Sequence, residues 1–550
     1  MGRHYPWEAS YPAPLRYHLD YPNIPLYEFA DRGAVDFPER PALIFYGQRI
    51  SYGEFGKLTT RLANALKNLG VRQGDRVAVM GPNCPQWVIA FFGTLKAGGI
   101  VVQTNPMSVE RELENLLNNA GVETIFVYEP LYLRIKAVAG TTPLKRVIVF
   151  NFRPVSSPPE EGVLVFDELL RQGSETVPGI PVDPKEDLAV LQYTGGTTGI
   201  PKGVMLTHFN LVANVQQTAE FLKPAVEDPG LECMLTALPL FHVYGMTVAM
   251  NVAFALSCPQ VLLPKFEVEE VLETIKSYRI TLFPGAPTMY VAIINYPEVR
   301  KYNLSSIKAC ISGSAPLPVQ VQRQFEELTG GMLVEGYGLS EASPVTHCNP
   351  IIGKRKYGSI GLPFPDTEVK IMDVETGTKE LSPGQEGELV IKGPQVMKGY
   401  WNNPEETAVV LREGWLYTGD IAKMDEEGYF YIVDRKKDLI IASGFNIYPR
   451  EVEEVLYEHT AVQEAAVIGV PDVYRGETVK AFIVLKEGAS ATEDEIIQFC
   501  RSRLAAYKVP RLVEFRTSLP KTAAGKILRR LIREEEYRKL KEGQSNGLRN

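Results

Sequence analysis

Cysteine is scarce in this sequence, and its few residues are widely spaced. The 550 residues include six cysteines, at positions 84, 233, 258, 310, 348 and 500. Because no two are close together, the chain has no CxxC pair for zinc binding or thiol redox chemistry. A disulfide framework is also not expected in a chain of this length. The sequence therefore predicts six reduced thiols in a reducing compartment.

The sequence also lacks a signal peptide, low-complexity tracts and an excess of basic charge. No apolar segment of signal-peptide type lies near the N-terminus. The 46 glycines and 40 prolines are too few for a disordered or fibrous chain. The formal net charge is −8, whereas nucleic acid-binding domains are usually basic. We expect a cytoplasmic globular protein that does not bind nucleic acid.

Formal charge is absent from one long stretch, residues 233–264. This stretch imitates a membrane span, but it contains residues that are unfavourable in lipid, among them Pro239, His242 and Asn251. We therefore interpret it as a buried core segment and predict no transmembrane segment. Peripheral contact with the inner face of the membrane, and a homodimer, stay open as alternatives.

What is present is a mixed α/β pattern preceded by an unusual N-terminal segment. Residues 1–27 are rich in Tyr and Pro, which disfavours a helix and predicts an extended arm on the body of the protein or on a partner. Beyond it, apolar spacing predicts helices at 59–69 and 111–120 and strands at 75–80 and 123–128.

The pattern changes at the charged cluster 434–438. The residues before it are α/β, with strand alternation around 386–393, and the residues after it are typical of a small α+β module. We predict a large domain at 1–434 and a small domain at 435–550. The hinge between them is expected near Lys437.

The strongest chemical signal is a segment rich in Gly and Thr that follows a predicted strand at 188–193 and precedes a helix expected from about Asn210. Glycines let a backbone approach phosphates closely, threonine hydroxyls donate hydrogen bonds, and a lysine supplies positive charge. The segment is not a Walker A loop, because no Gly-Lys-Ser/Thr closes it. It predicts a phosphate-binding loop. Its sequence is Tyr193-Thr194-Gly195-Gly196-Thr197-Thr198-Gly199-Ile200-Pro201-Lys202-Gly203.

Further motifs follow along the chain. They are Ser312-Gly313-Ser314-Ala315-Pro316-Leu317, Gly336-Tyr337-Gly338-Leu339-Ser340-Glu341, Tyr417-Thr418-Gly419-Asp420, Asp434-Arg435-Lys436-Lys437, Ser443-Gly444-Phe445-Asn446-Ile447-Tyr448-Pro449 and Pro520-Lys521-Thr522-Ala523-Ala524-Gly525-Lys526. In type and order the set resembles the adenylate-forming superfamily of acyl-CoA synthetases, peptide-synthetase adenylation domains and luciferases. One departure is Gly195, where the family often has Ser, so that one hydroxyl is missing.

The resemblance implies both a fold and a reaction. The implied fold is a large N-terminal domain of α/β subdomains plus a β-rich segment, with a small mobile α+β C-terminal domain over the site. The implied reaction joins a carboxylate to ATP, giving acyl-adenylate and pyrophosphate. A thiol, expected to be that of coenzyme A, then captures the acyl group and releases AMP.

The same resemblance implies roles for individual residues. Tyr337 would stack on adenine, with Gly313 and Ser314 on the other side of the base, and Asp420 and Arg435 would bind the ribose. The full ATP- and AMP-binding set is Thr194, Gly195, Gly196, Thr197, Thr198, Gly199, Lys202, Gly313, Ser314, Gly336, Tyr337, Gly338, Ser340, Asp420 and Arg435. Glu341 is a hard oxygen ligand of the kind that Mg²⁺ prefers, and with Thr194 it would position the metal on ATP.

Lys526 resembles the family's catalytic lysine, which bridges the attacking carboxylate and the α-phosphate. His242 is similar to the family residue that gates the acyl and thiol channels. Lys437 falls at the family's rotation hinge, and Ser443 and Gly444 would face coenzyme A after rotation.

The acid substrate is expected to be apolar. Amino-acid-activating relatives place an aspartate just after the aromatic residue of the segment that corresponds to 241–245, and this sequence has none there. A buried ammonium group would therefore be unpaired, which is costly. Residues 105–114 and 283–290 look most like bacterial long-chain fatty acyl-CoA synthetases. The prediction is a long-chain fatty acid–CoA ligase; the alternatives are an enzyme that loads a carrier protein and an aryl acid–CoA ligase.

Overall fold

The computed structural model divides the chain into two parts whose strands belong to different sheets. Strands up to Arg435 form the sheets of an N-terminal domain, and strands from Ile440 onward form a separate C-terminal domain. This mixed α/β fold with a separate C-terminal domain is the predicted fold class. The residues described are 5–194, 201–228, 230–374, 376–435, 438, 440–442, 445–472, 476–522 and 525–547.

The largest sheet of the N-terminal domain is mostly parallel and is covered by helices. Its strand Arg76–Met80 is buried on both faces, as expected for the apolar run Val-Ala-Val-Met. The strands of this sheet, in spatial order, are Gly399–Tyr400, Lys202–Thr207, Leu188–Thr194, Ile100–Thr104, Arg76–Met80, Thr124–Tyr128, Arg146–Phe150 and Leu164–Val165.

Two further strand groups complete the α/β part. The strands of the first group are Met234–Thr236, Gln260–Leu262, Pro41–Phe45 and Gln48–Ser51. The strands of the second are Ala309–Ser312, Met332–Gly338, Val345–Cys348 and Leu362–Pro363. The helices of the domain are Glu28–Asp36, Tyr52–Asn68, Pro85–Lys96, Glu110–Ala120, Tyr132–Ala139, Phe166–Gln172, His208–Leu222, Val252–Ala255, Val268–Tyr278, Pro287–Ile294, Val319–Thr329 and Pro404–Val410.

An antiparallel sheet forms the predicted β-rich segment and ends the N-terminal domain. Its strands are Glu368–Met372, Gly387–Lys392, Leu411–Arg412, Trp415–Met424 and Phe430–Arg435. In the C-terminal domain the strands are Phe445–Ile447, Ile440–Ala442, Gly476–Leu485, Val462–Asp472 and Leu512–Phe515. The helices packed with them are Pro449–Tyr457, Glu493–Arg501 and Arg529–Gly547.

The elements predicted from spacing are present, with one correction. The expected helix at 59–69 is longer and spans Tyr52–Asn68, because Ser51 caps its start by accepting a hydrogen bond from the Glu54 N–H. The expectation that the Gly/Thr-rich loop joins a strand to a helix is wrong. Residues Lys202–Thr207 form a strand antiparallel to Leu188–Thr194, so the loop closes a β-hairpin before the helix His208–Leu222 begins.

The uncharged stretch 233–264 is buried core, as predicted. It contributes a strand, Met234–Thr236, and a π-helical segment, Gly245–Asn251, whose residues are all buried. None of the helices in the described part of the chain is long and apolar enough to cross a bilayer. The six cysteines are free and buried.

The N-terminal arm lies on the body of its own chain. Trp7 is only 2% exposed, and its ring stacks on Tyr5 and meets Phe430 edge-on. The arm is not extended throughout, because Pro6–Ser10 forms a 3₁₀-helix in which Pro6 occupies the first turn.

Candidate active site

Two of the predicted motifs end neighbouring parallel strands. Ser312 lies opposite Glu335 in the pair formed by Ala309–Ser312 and Met332–Gly338. Gly313 and Gly336 therefore follow side by side at the carboxyl ends of these strands, which is the edge where α/β sheets bind ligands. Gly336, Tyr337 and Gly338 are the last three residues of the strand Met332–Gly338.

The backbone at Gly313 and Ser314 suits the close approach of a ligand. A Cβ atom on Gly313 would lie 3.1 Å from the Tyr244 ring, so only glycine fits without displacing that ring. Ser314 has a positive φ of 70°. Its Oγ is buried and has no hydrogen-bond partner among the described residues, so it can bond a ligand.

Tyr337 is joined to the predicted ribose-binding residue. Its hydroxyl donates a hydrogen bond to Oδ2 of Asp420. Asp420 in turn lies opposite Arg435 in the antiparallel pair Trp415–Met424 and Phe430–Arg435. The structure thus brings an aromatic ring, a carboxylate and the backbone position of Arg435 to one place, as a nucleoside site requires.

Glu341, the predicted metal ligand, lies just beyond this group in the 3₁₀-turn Ser340–Ala342. The Tyr400 hydroxyl donates a hydrogen bond of 2.7 Å to Oε1 of Glu341. Burial, and next the nearby Glu341 carboxylate, raise the pKa of Tyr400 well above its usual value. The phenol therefore stays protonated and acts as a donor that orients the carboxylate.

Lys202 and Thr194 flank the predicted phosphate loop and face each other across the hairpin. The Lys202 ammonium forms an ion pair with Glu406 and lies 5.2 Å from the centre of the Tyr400 ring. Lys202 and Glu341 are therefore both in contact with Tyr400. The loop residues predicted to bind phosphate, Gly195, Gly196, Thr197, Thr198 and Gly199, lie outside the described residues.

The predicted catalytic lysine belongs to the C-terminal domain but acts on a residue of the N-terminal domain. Burial of the imidazole, and next the positive charge of Lys526, lower the pKa of His242 to about 4. His242 therefore holds no charge at neutral pH. Its Nδ1 accepts a hydrogen bond of 3.3 Å from the Tyr244 backbone N–H, which orients the ring.

The loop that carries Lys526 is docked tightly. Gly525 has a φ of 77°, and a Cβ there would lie 2.3 Å from Oγ1 of Thr288 in the N-terminal domain. Lys526 lines a cleft between the domains together with Thr288, Pro316 and Arg450. The loop is held by hydrogen bonds between Thr522 and Lys526, of 2.8 Å and 3.1 Å.

A second contact between the domains was missed by the sequence analysis. Arg450 lies 3.3 Å from the buried carboxylate of Glu335. The available signal was an acidic residue, Glu335, inside an apolar strand next to Gly336, where an acid needs a partner. Tyr400 was not predicted either, because the segment in which it follows Gly399 has no other chemical feature that marks a site. Lys437, Ser443 and Gly444 lie outside the described residues.

The chain matches two family models. Residues 30–401 match the model described as AMP-binding enzyme, and residues 451–526 match the AMP-binding enzyme C-terminal domain. Among curated proteins, a long-chain-fatty-acid–CoA ligase of Bacillus subtilis (strain 168) is 51% identical and covers 96% of this chain and 98% of its own length. A feruloyl-CoA synthase of Amycolatopsis sp is 38% identical over 90% of this chain and 96% of its own length.

Among solved structures, the anthranilate CoA ligase AuaEII in complex with anthranoyl-AMP superposes with a TM-score of 0.87. It is 30% identical and covers 94% of this chain and 98% of its own. The fold, together with a site suited to a nucleoside, thus defines the class of adenylate-forming enzymes. The chain belongs to the AMP-binding enzyme family, and the resemblance inferred from its motifs is confirmed.

Proposed function

We infer that this chain is an ATP-dependent fatty acid–CoA ligase, an enzyme that forms a carbon–sulfur bond between a long-chain acid and coenzyme A. The observation that carries this inference is the placement of Lys526. Lys526 lines a cleft between the domains, and after burial its positive charge is the next cause that lowers the pKa of His242, which lies in the uncharged buried stretch 233–264. A cation for phosphate and carboxylate groups thus lies next to an apolar interior. The 51% identity to a long-chain-fatty-acid–CoA ligase supports this choice of substrate.

For the first half-reaction we propose that Tyr337 stacks on adenine and that Asp420 and Arg435 hold the ribose. Gly313, Ser314, Gly336, Gly338 and Ser340 line the nucleotide. The buried Oγ of Ser314, for which the described part of the chain offers no hydrogen-bond partner, supports its assignment. Lys526 places its ammonium where charge gathers between the attacking carboxylate and the α-phosphate, and a positioned cation stabilises such charge.

The phosphates are assigned to the hairpin loop, whose flanks, Thr194 and Lys202, face each other across the paired strands. Mg²⁺ keeps several waters and needs only one or two protein ligands. Glu341 fits that need, because Tyr400 holds its Oε1 in place. We assign Glu341, with Thr194, as the residues that would hold Mg²⁺ on ATP. Bound there, the metal would neutralise phosphate charge.

For the second half-reaction we propose that the C-terminal domain turns about Lys437 and brings Ser443 and Gly444 to coenzyme A. The proposed large domain is then 1–434 and the small domain 435–550; the sheets change between Arg435 and Ile440, so the last strand of the large domain extends one residue past this boundary. A Lys437→Pro substitution should slow thioester formation more than adenylation.

An aryl acid–CoA ligase is the second candidate, favoured by the 38% identity to a feruloyl-CoA synthase. The discriminating experiment measures CoA-dependent AMP release with straight-chain acids of two to twenty carbons and with benzoate- and cinnamate-type acids. Each buried methylene contributes about 0.8 kcal/mol. The value of kcat/KM should therefore rise several-fold per added carbon until the site that binds the acyl chain is filled. A maximum at an aryl acid or at acetate would contradict the proposal.

A third candidate, loading of a carrier protein, predicts adenylate formation without release of free acyl-CoA; pyrophosphate release without CoA-dependent AMP release would identify it. The cytoplasmic location, the membrane contact and the homodimer considered above stay predictions. Sedimentation of the purified protein with and without lipid vesicles tests the last two together.

A further inference from the structure

A buried ion pair connects the two domains next to the strand that leads to the proposed adenine site. Nη2 of Arg450, in the first turn of the helix Pro449–Tyr457, lies 3.3 Å from Oε1 of Glu335. The two side chains are 9% and 5% exposed. Because Glu335 immediately precedes Gly336 and Tyr337, the C-terminal domain here contacts the strand that carries the proposed nucleotide-binding residues.

Arg450 makes its shorter contacts with the N-terminal domain. Its Nη1 donates to the carbonyl of Ile432 at 3.1 Å, and its backbone N–H donates to Oδ2 of Asp434 at 3.1 Å. The carboxylate on its own helix, Glu454, is farther away, at 3.8 Å from Nε. The guanidinium therefore reaches across the boundary between the domains.

The pair makes docking sensitive to the loss of either partner. Burial raises the pKa of Glu335 to about 7, and the charge of Arg450 opposes that rise. In the docked arrangement each charge offsets the hydration that the other has lost on burial. Removing one partner therefore penalises the docked arrangement: without Glu335 the Arg450 charge stays buried without a countercharge, and without Arg450 the Glu335 carboxyl must take up a proton or stay unpaired.

We propose that Glu335 and Arg450 are positioning residues that hold the C-terminal domain in the arrangement that presents Lys526 to the adenylate-forming site. Neither residue needs to touch a reacting atom, since both act through the placement of Lys526. The inference rests on the proposed function, in which Lys526 serves the first half-reaction. It adds a link between the nucleotide-binding strand and the docking of the other domain.

The test is a single-turnover measurement of the two half-reactions in Arg450→Met, Glu335→Gln and the double variant. Each single substitution should slow acyl-adenylate formation by about tenfold or more, because one partner of a buried charge pair is lost. Conversion of supplied acyl-adenylate and coenzyme A to acyl-CoA should stay within about twofold of the wild type. The double variant should form adenylate faster than Arg450→Met, since it no longer has to bury an acid that has lost its countercharge.

Glu451→Gln is the matched control. Glu451 is the next residue on the same helix, but its partner Lys508, at 2.5 Å, lies within the C-terminal domain. This variant should keep both rates. Equal losses in both half-reactions for the single variants, wild-type rates, or additive losses in the double variant would each overturn the proposal. If the wild type itself formed no acyl-adenylate, the proposed function would fail instead, so the two failures are distinguishable.

Discussion

The pKa of His242, in the N-terminal domain, is lowered first by burial and next by the positive charge of Lys526, in the C-terminal domain. The two residues are separated by 284 positions in the sequence and by the boundary between the domains. The contribution of Lys526 requires the C-terminal domain to be docked, so the pKa of His242 should rise when that domain undocks.

Lys526→Ala should raise the pKa of His242 from about 4 towards the ordinary histidine value, without reaching it, because burial remains the larger cause of the shift. In the wild type, His242 should stay neutral from pH 8 down to about 5. Titration of labelled histidine by NMR measures the pKa of His242 in the variant and in the wild type. Lys521→Ala, which breaks a pair with Glu464 inside the C-terminal domain, is the control and should leave the value unchanged.

The same Lys526→Ala variant should separate the two half-reactions. Loss of one preorganised charge at the adenylation transition state typically costs about 10²–10³-fold in rate. In the second step pyrophosphate has left and the electrophile already exists, so that step should proceed at close to the normal rate. Single-turnover assays measure the two half-reactions separately. The first assay starts from free acid with ATP, and the second starts from supplied acyl-adenylate with coenzyme A. Equal loss in both would mean that Lys526 has a structural role.

Glu341→Ala should strongly reduce adenylation and leave thermal unfolding unchanged, because the side chain is proposed to hold Mg²⁺. Tyr400→Phe removes only the 2.7 Å hydrogen bond that orients Glu341. Hydrogen bonds to charged groups contribute about 1.5–3 kcal/mol. The Mg²⁺ concentration for half-maximal rate should therefore rise by about tenfold or more.

Tyr357→Phe serves as the control for Tyr400→Phe. It removes a hydroxyl–carboxylate hydrogen bond to Glu326, of 3.2 Å, on an exposed surface. Its Mg²⁺ dependence should match that of the wild type. An unchanged Mg²⁺ dependence in both Glu341→Ala and Tyr400→Phe would remove the basis for a metal at Glu341.

Trp7→Ala should destabilise the N-terminal domain through loss of packing by the arm. The ring is 2% exposed and packs between Tyr5 and Phe430. Truncation of a buried Trp typically costs about 3–5 kcal/mol in the free energy of unfolding. Calorimetry of the variant should show a lower unfolding temperature for the N-terminal domain. Val35→Ala, at a position 79% exposed, should unfold like the wild type. A normal transition in Trp7→Ala would mean that the arm does not dock in solution.

Much of the fold could be predicted from local patterns. The helix at Glu110–Ala120 and the strands at Arg76–Met80 and Thr124–Tyr128 match their expected positions within one or two residues, because apolar periodicity is a local property. The strand Lys202–Thr207 was missed, since its pairing with Leu188–Thr194 is a contact across a loop and not a periodicity. The short 3₁₀-helix of the arm was not predicted, because high Pro content disfavours a helix, although a proline can occupy the first turn, as Pro6 does.

The sequence by itself determined the family and the reaction class, because its motifs resemble those of the family in type and in order along the chain, and it supplied the predicted site residues. Only the tertiary structure decided which residues meet. The Tyr337–Asp420 and Tyr400–Glu341 hydrogen bonds, and the Glu335–Arg450 pair across the domains, join residues 59 to 115 positions apart. Such contacts depend on how sheets and domains pack. A local sequence pattern does not indicate which distant residue a side chain will contact.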